Sequence, residues 1–378
     1  MGIKGLKKFL QAECPQCFTT IPFAGLGGKK IAVDIASYIY KYKTAIGEEK
    51  WFQAMIRLVL LFKRNNVHGI FIFDGAPPKE KDAEKQKRKK RREDMDEKTF
   101  RLSLELETYK ETHTVSDEFW EIYQSIRKYD TNTGKIHRLL HAPSLSSSET
   151  QTQNQDRWID VSLVESYIIK KESQLIHITG EDIQNIQTLI SLCGGIWIQA
   201  PGEAEALGSY LCSTHQCAAI LSEDSDVLAY GSEFYISGLN PSTETCMVIC
   251  YQSVLSILHL SPPEFLDFCI MCGTDYNENI PGIAIKTAFK LLSVHRSIDQ
   301  LPFPPDKISI LHHLRSRHLF QTYGELSFTD KIDYWDPNVD TYPLRLFLRS
   351  HRFFLRDHEL EEMWNQIRLP MSDDDGKE

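Results

Sequence analysis

The stretch GIFIFDG, residues 69–75, places four apolar residues in a row directly before Asp74. Two further stretches have the same form: KKIAVD, which ends at Asp34, and AAIL at residues 218–221, which leads into an acidic segment. An apolar run without polar alternation is typical of a strand that is buried on both faces. The sequence therefore predicts an α/β fold with a mainly parallel central sheet flanked by helices.

Seven carboxylates recur along the chain, most of them just after a predicted strand. In an open parallel sheet, ligands bind in the crevice at the carboxyl ends of the strands, so these acids are expected to meet there. Acids that meet repel one another unless a cation neutralises them, and ligands that are all oxygen favour Mg²⁺ or Mn²⁺. One ion cannot use so many carboxylates, and a site with two ions is suited to phosphoryl transfer. The seven are Asp34, Asp74, Glu203, Glu205, Asp224, Asp226 and Asp275.

Each of these acids, taken alone, has a simpler role. Asp and Glu are common in the first turns of helices and after strands, where they cap backbone N–H groups. Capping does not explain why two pairs recur at strand ends, Glu203 with Glu205 and Asp224 with Asp226. The set as a whole therefore favours a metal site.

The net charge is −9, which is unexpected for a protein that binds nucleic acid. The distribution matters more than the sum, because residues 79–92 hold nine Lys or Arg against three acids. Bound metal would also cancel part of the acidity. An acidic total therefore does not exclude a DNA-binding face, although a solvated helix face or a nuclear-import patch explains most of the basic run equally well.

The cysteines and the termini indicate the compartment. Nine cysteines, an odd number in a long chain without a predicted signal peptide, argue for a reducing environment and an intracellular protein. No apolar run is long enough for a membrane helix. The Cys-x-x-Cys pairs Cys14/Cys17 and Cys269/Cys272 could form a zinc site only if they converge. The second pair lies in an apolar helical pattern, where cysteine behaves as a small hydrophobe.

The chain divides into four predicted regions. An N-terminal α/β region, 1–92, is followed by a helical insertion, 93–175, that contains a Ser-rich flexible loop at 141–156. The α/β pattern resumes over 176–300, and 301–378 is a helical appendage that ends in an acidic tail. The predicted strands are 29–34, 67–74, 196–199, 217–222 and a hairpin of 233–237 with 246–251; the predicted helices are 50–65, 181–194, one opened by Pro201, 262–272, two short ones in 273–292, and most of 79–130.

Six motifs occur in a fixed order: MGIKGL, VDIASYIY, FIFDGAPP, APGEAEA, EDSD and GTDYNENIPGI. In this order they resemble the flap endonuclease family of structure-specific 5′ nucleases, which includes excision-repair and exonuclease-1-like members. The resemblance covers about residues 1–92 and 176–366, including the late segment YWDPN. It implies a PIN-like nuclease core with a helical arch and a helix–two-turn–helix, and all seven acids match the family's metal ligands. The insertion 93–175 is longer than the arch of a flap endonuclease proper.

The resemblance also implies roles for other residues. Lys81 and Arg88 match the two basic residues at the base of the arch, which hold the scissile phosphate and offset charge in the transition state. Tyr40 matches a tyrosine that stacks on a base, although a buried core tyrosine is the alternative. Gly2 matches a glycine that lies close to the substrate, where the lack of a side chain permits close approach.

Residues 273–292 resemble the helix–two-turn–helix that holds duplex DNA by backbone amides and a K⁺ ion. Gly282, Ile283 and Lys286 match its DNA contacts. Where the family has Gly-Ile-Gly-Pro-Lys, this chain has Ala284 in place of the second glycine. Because alanine adopts positive φ less readily than glycine, the sequence puts the K⁺ site in question.

The resemblance implies a Mg²⁺- or Mn²⁺-dependent hydrolase with two ions that cuts DNA near single-strand/double-strand junctions and leaves a 5′-phosphate and a 3′-hydroxyl. We expect a monomer without a membrane segment or a C-terminal sliding-clamp motif, located in the nucleus or, if a DNA virus encodes it, at a cytoplasmic replication site. Within the family, a 5′–3′ exonuclease or a bubble- or Holliday-junction-cutting nuclease is the alternative. A non-catalytic DNA-binding scaffold and an RNA-directed nuclease are alternatives from other classes.

Overall fold

The computed structural model describes residues 2–47, 50–130, 157–175, 178–322, 331–336 and 339–351. Within these ranges one sheet of seven strands has the order β1-β7-β6-β5-β2-β3-β4. The strands from β6 to β4 are parallel neighbours, whereas β7 pairs antiparallel with β6 and β1 antiparallel with β7. The strands are β1 Phe18–Pro22, β2 Lys30–Asp34, β3 His68–Phe73, β4 Ile196–Gln199, β5 Ala219–Leu221, β6 Phe234–Asn240 and β7 Thr245–Cys250.

The mainly parallel sheet flanked by helices and the hairpin of β6 with β7 are confirmed. Strand β1 was not expected. Its sequence, FTTIP, contains two threonines and ends in Pro22, so it carries no continuous apolar run. Proline is tolerated because β1 is an edge strand and has a neighbour on one side only.

The described helices surround this sheet or belong to a separate insertion. They are α1 Leu6–Glu13, α2 Ile35–Ile46, α3 Trp51–Arg64, α4 Asp82–Thr112, α5 Asp117–Asp130, α6 Val161–Glu172, α7 Gly180–Leu192, α8 Ala204–Ser213, α9 Asp226–Ala229, α10 Tyr251–Leu258, α11 Pro262–Cys272, α12 Ile285–His295, α13 Pro305–Ser309, α14 His313–Gln321 and α15 Thr341–Ser350. None of these is both long and apolar enough to cross a membrane alone; only α10 and α11 taken together, at 86° to each other, pass that test of length and composition.

Two helix predictions need correction. The expected pair of short helices in 273–292 is a single helix, α12, because residues 273–284 form turns with one bridge between Thr274 and Asn277. The helix expected to open at Pro201 begins at Ala204.

The apolar runs form two hydrophobic clusters, one on each face of the sheet. Along β3, Ile70 and Ile72 belong to one cluster, whereas Phe71 and Phe73 belong to the other. Successive side chains of a strand point to opposite faces, so a strand covered on both sides is apolar throughout. This burial fixes the positions of the strand ends and thus of the residues that follow them.

The chain forms two compact units, one of residues 1–84 with 178–378 and the other of residues 85–177. The second unit has its own apolar core, in which α4 contributes Leu102, Leu106 and Tyr109 and α5 contributes Phe119 and Tyr123. The division of the chain into four regions stays a prediction. The Ser-rich loop at 141–156 and the acidic tail lie outside the described residues.

Trp335, which belongs to the late segment YWDPN, is hydrogen-bonded at the amino end of β3. The indole N–H of Trp335 donates to the carbonyl of Gly69 at 2.7 Å, and its backbone N–H donates to Nδ1 of His68 at 3.2 Å. Burial of His68, together with the charges of Lys30 and Lys63, lowers the pKa of the imidazole. This end of the sheet is opposite to the one that carries the acids.

Candidate active site

The predicted acids are brought to one edge of the sheet. Strands β5, β2, β3 and β4 are consecutive neighbours and parallel, so their carboxyl ends lie side by side. Each of these ends leads directly into one or two of the acids. Asp34 is the last residue of β2, Asp74 follows β3, Glu203 and Glu205 begin the helix after β4, and Asp224 and Asp226 follow β5.

The acids after β2 and β5 are connected through a serine. Ser222 donates its hydroxyl hydrogen to Oδ2 of Asp34 at 2.7 Å and accepts the backbone N–H of Asp224 at 2.9 Å. Asp34 also caps α2 by accepting the N–H of Ser37 at 3.3 Å, and Oδ1 of Asp224 accepts the N–H of Asp226 at 2.9 Å. Capping and site formation thus coexist in the same residues, because each carboxylate has two oxygens.

The loops after β3 and β4 are in contact, through the Asp74 side chain and through the backbone of Gly75. Oδ1 of Asp74 accepts the N–H of Ala204 at 2.8 Å, so a residue from another loop satisfies the amino end of α8. A Cβ at Gly75 would lie 2.0 Å from the carbonyl oxygen of Ala200. Only glycine permits this approach, which sets Asp74 against the start of α8.

Lys81 lies among the acids. Its ammonium nitrogen is 2.7 Å from Oε1 of Glu203 and 3.2 Å from Oδ2 of Asp275. Burial lowers the pKa of this lysine, but the two carboxylates outweigh burial and raise it above its usual value. A permanent positive charge therefore stands beside Glu203, Asp275 and, at longer range, Glu205.

Several carboxyls of the cluster resist ionisation. Burial, followed by the charge of Asp74, raises the pKa of Asp34 to about 7. Burial, followed by Asp224 and Asp275, raises the pKa of Asp226 well above its usual value. The pKa values of Asp224 and Glu205 are raised as well, with burial as the first cause. The side chain of Glu205 keeps some exposed surface, so water offsets part of the effect of burial on its pKa.

The residues present fit a bound cation. Oδ1 of Asp226 is buried and has no hydrogen-bond partner among the described residues, and the charges of Asp224 and Asp275 act on this carboxyl. Within the described residues, no three His, Cys, Asp or Glu side chains approach closely enough to form a closed ligand shell. Lys81 instead lies between two of the acids, Glu203 and Asp275. An all-oxygen donor set of this kind suits a hard divalent ion that keeps some of its water.

This cluster predicts an unusual pH dependence of the metal-free protein. A folded-state pKa of about 7 for Asp34, against a usual 3.8, means that the folded chain binds the proton more tightly than the unfolded chain. The free energy of unfolding should therefore fall as the pH rises between about 4 and 7, by at most about 1.4 kcal/mol per pH unit for each such group. In chelator, we expect a lower melting temperature at about pH 8.5 than at about pH 6.

Asp226→Asn supplies the control for this pH dependence, because it removes one of the carboxyls with raised pKa. Its melting temperature should fall less over the same pH range than that of the wild type. Equal pH dependence in the two proteins would contradict the prediction.

Gly2, near the start of the chain, lies against Asp224. Gly2 has φ of +88°, and a Cβ there would lie 2.0 Å from Oδ1 of Asp224. The side chain is therefore excluded both by backbone conformation and by space. The structure brings Gly2 to the acids, and its contact with DNA stays a prediction.

Three other residues predicted to contact the substrate, Tyr40, Lys81 and Arg88, lie on helices. Tyr40 lies on α2 with 39% of its surface exposed, so it is not a buried core tyrosine. Lys81 belongs to a short 3₁₀ turn, Lys79–Lys81, and α4 begins only after it. Arg88 lies on α4 in the second compact unit, so its part in the site stays a prediction.

The helix–two-turn–helix is formed by α11, the turns of 273–284 and α12. Gly282 has φ of +79°, whereas Ala284 has φ of −83° and ψ of 164° as the N-cap of α12. The expected strain at Ala284 is wrong, because the left-handed position in this turn is Gly282. Ile283 is buried and Lys286 is exposed in the first turn of α12.

Two residues of the site were not predicted, Ser222 and Tyr276. Ser222 directly follows an apolar strand, as the acids do, and Tyr276 directly follows Asp275. The criterion that selected the acids is their position directly after a strand. Applied to hydroxyl-bearing residues as well, it would have selected Ser222. Cys269 and Cys272 are buried in α11, and within the described residues no cysteine belongs to a group of three or more side chains that could hold a metal ion.

The fold and this acidic edge define a nuclease of the PIN-like type. Residues 1–95 match the XPG N-terminal domain, and residues 194–275 match the XPG I-region. A probable RAD2-like endonuclease of Invertebrate iridescent virus 6 is 31% identical over 355 residues, which span 87% of this chain and 81% of the relative. The chain belongs to the flap endonuclease/XPG family.

Other relatives and solved structures agree with this assignment. Flap endonuclease 1 of Cryptosporidium muris is 27% identical, over 90% of this chain and 67% of the relative. The catalytic core of Rad2 in complex with DNA substrate superposes with a TM-score of 0.60 at 16% identity, over 95% of this chain and 99% of that one. Flap endonuclease-1 from Methanococcus jannaschii gives 0.56 at 20% identity, over 93% and 96%. These two structures support the fold.

Proposed function

We propose that this nuclease hydrolyses DNA phosphodiester bonds at or near the junction of a 5′ flap with duplex, using two divalent metal ions. One observation carries the proposal: the carboxyl ends of four neighbouring parallel strands present acids at one edge of the sheet, where Lys81 contacts Glu203 and Asp275. Such a site concentrates negative charge where a phosphate must enter, so cations are required to admit the substrate. Mg²⁺ or Mn²⁺ ions held there would activate water and stabilise the leaving oxygen.

The predicted metal ligands differ in the residues that they contact in the structure. Asp226 has an oxygen that no described residue hydrogen-bonds, and Asp34 and Asp224 are oriented by Ser222. Asp74 and Glu205 lie on the neighbouring strand ends, whereas Glu203 and Asp275 hold Lys81. We assign all seven to the two ions.

Lys81 is the residue that we expect to meet the scissile phosphate. Its ammonium group carries three N–H donors and is fully charged, so it can exchange one carboxylate contact for a phosphate oxygen. There it would offset the charge that develops on the phosphate in the transition state. Arg88, which lies seven residues further along the chain, is assigned to the same task.

The DNA on both sides of the cut has separate assigned contacts. Tyr40, which is exposed, would stack on a base, and Gly2 would lie against the strand beside Asp224. The turn that contains Gly282 and Ile283, with Lys286 on α12, would hold the duplex by its phosphates. A K⁺ ion in this turn is compatible with the backbone, since Ala284 is extended.

The partner is therefore DNA with a single-strand/double-strand junction, bound by a monomer. Relatives include RAD2-like endonucleases named in iridescent viruses and flap endonuclease 1 of eukaryotes. Accordingly, we assign the protein to the nucleus or to a viral replication site.

A panel of labelled substrates tests the activity: a 5′ flap, a blunt duplex, a bubble and a four-way junction, each in Mg²⁺. We expect the 5′ flap to be cut fastest, near the junction, with a 5′-phosphate and a 3′-hydroxyl at the ends. Asp224→Ala, purified in parallel, controls for a contaminating nuclease. Faster cutting of the blunt duplex would favour a 5′–3′ exonuclease, and faster cutting of the bubble or junction the corresponding endonuclease.

Two results would favour another class of function. Tight binding of the flap without cleavage would favour a non-catalytic DNA-binding scaffold. Preference for an all-RNA flap on an RNA duplex would favour an RNA-directed nuclease.

A further inference from the structure

Both carboxylate oxygens of Glu203 accept hydrogen bonds. Lys81 donates to Oε1 at 2.7 Å, and the hydroxyl of Tyr276 donates to Oε2 at 2.7 Å. Behind it, the hydroxyls of Tyr230 and Tyr276 are 2.8 Å apart. Both tyrosines are buried, so this chain of hydroxyls runs inward from the acidic edge into the protein.

The direction of these hydrogen bonds follows from the number of hydrogens. Each tyrosine hydroxyl carries one, and Tyr276 gives its hydrogen to Glu203. Tyr230 must therefore donate to Tyr276. Burial raises the pKa of both phenols, so both remain protonated donors at any ordinary pH.

Packing and backbone contacts fix the position of Tyr276. The ring of Phe320, which is buried, meets the ring of Tyr276 at 5.1 Å between centroids and that of Tyr230 at 4.9 Å, both in tilted or edge-on geometry. The backbone N–H of Tyr276 donates to the hydroxyl of Thr274 at 3.1 Å, and that hydroxyl donates to Asn277 at 2.7 Å. The hydroxyl of Tyr276 thus has little freedom to move.

Tyr276 is also adjacent to Asp275, the second carboxylate on Lys81. Two neighbouring residues of one turn therefore hold the Lys81–Glu203 pair from two sides. This turn connects α11 to α12, the helices assigned to the duplex.

We propose that Tyr276, supported by Tyr230, is a positioning residue that fixes the orientation of the Glu203 carboxylate for divalent-cation binding. The inference rests on the proposed function, because it concerns the metal site of that reaction. With Oε2 occupied by Tyr276, Glu203 presents Oε1 toward Lys81 and the other acids. Loss of a partner that orients a metal-binding residue typically weakens metal affinity about 10–100-fold.

Three variants test the proposal: Tyr276→Phe, Tyr230→Phe and the double variant. Tyr42→Phe is the matched control, because its hydroxyl is buried and has no hydrogen-bond partner among the described residues. Mn²⁺ affinity is measured by calorimetry without DNA, stability by melting in chelator, and kcat and KM on the flap substrate. Melting separates a loss of fold from a loss of orientation.

For Tyr276→Phe we expect Mn²⁺ binding weakened about 10-fold and kcat lowered by a similar factor, with KM for DNA unchanged. Its melting temperature should fall, because the buried Tyr230 hydroxyl loses its hydrogen bond to the hydroxyl of Tyr276. The double variant should regain stability but neither Mn²⁺ affinity nor kcat. Tyr230→Phe should have a smaller effect, since Tyr276 still donates to Glu203.

Other outcomes overturn the proposal. If Mn²⁺ affinity and kcat of Tyr276→Phe match those of Tyr42→Phe, or recover with stability in the double variant, Tyr276 does not position Glu203. A wild type that binds no Mn²⁺ overturns the metal assignment together with this proposal. A wild type that binds Mn²⁺, weakened by Tyr276→Phe, but cuts none of the substrates contradicts the proposed function alone.

Discussion

Asp226→Asn should lower the rate of DNA cleavage by about 10²–10³-fold or more, and it should raise the melting temperature of the metal-free protein. The two effects have one cause. Asp226 is buried beside Asp224 and Asp275, and in the described part of the chain its Oδ1 has no hydrogen-bond partner. Its charge is therefore unfavourable for folding and becomes useful only when a cation is bound.

The size of the stability gain should be modest. Removing one unfavourable buried charge is worth about 1–3 kcal/mol, and each kcal/mol corresponds to roughly 1–2 °C in a protein of this size. Melting in chelator and in Mg²⁺ measures it, and the Mg²⁺-induced increase should shrink in the variant.

Asp267→Asn is the matched control for this prediction. Asp267 is equally buried, but Arg317 donates to both of its oxygens, at 2.6 and 2.7 Å. The same substitution there breaks a compensated ion pair, so the melting temperature should fall while Mg²⁺ has its usual stabilising effect. Lower stability of Asp226→Asn in chelator, with cleavage retained, would contradict the assignment of Asp226.

Lys81→Ala should also lower kcat by about 10²–10³-fold, but with the opposite effect on stability. The lysine neutralises Glu203 and Asp275, and only 19% of its side-chain surface is exposed. Without it, two carboxylates lose their cation, so the metal-free protein should melt at a lower temperature. Single-turnover cleavage at saturating DNA and melting in chelator give the two measurements.

Lys41→Ala is the control for charge loss near the site. Lys41 pairs with Glu223, but 40% of its side-chain surface is exposed, so the pair should contribute at most about 1 kcal/mol. We expect little change in kcat. Equal losses in the two lysine variants would indicate a general electrostatic attraction of DNA and would remove Lys81 from the phosphate site.

The strands that carry the acids could be predicted because they are buried on both faces. Continuous apolar runs such as the one before Asp74 are typical of strands covered by helices on each side, and the parallel fold follows from them. Strand β1 could not be predicted in this way, because an edge strand is half exposed and may hold threonine and proline. Nor could the order of the strands, since β5 reaches β2 across nearly half of the chain.

In the candidate site, too, some residues could be predicted from the sequence and others could not. The acids are visible in the sequence because strand ends mark them. The contacts of Tyr276 with Glu203 and of Ser222 with Asp34 join residues 73 and 188 positions apart, and no local pattern encodes such distances. The expectation of strain at Ala284 failed because a motif comparison assigns residue types to positions, whereas φ depends on which position ends the turn.

The pairing of β2 with β5 has a consequence for the synthesis of the protein. Asp34 emerges from the ribosome long before Asp224 and Asp226, and contacts between distant segments form only after the intervening chain has been ordered. A nascent or partly folded chain therefore has scattered carboxylates but no assembled site. The acids carried by the two strands can act together only after β2 and β5 have paired.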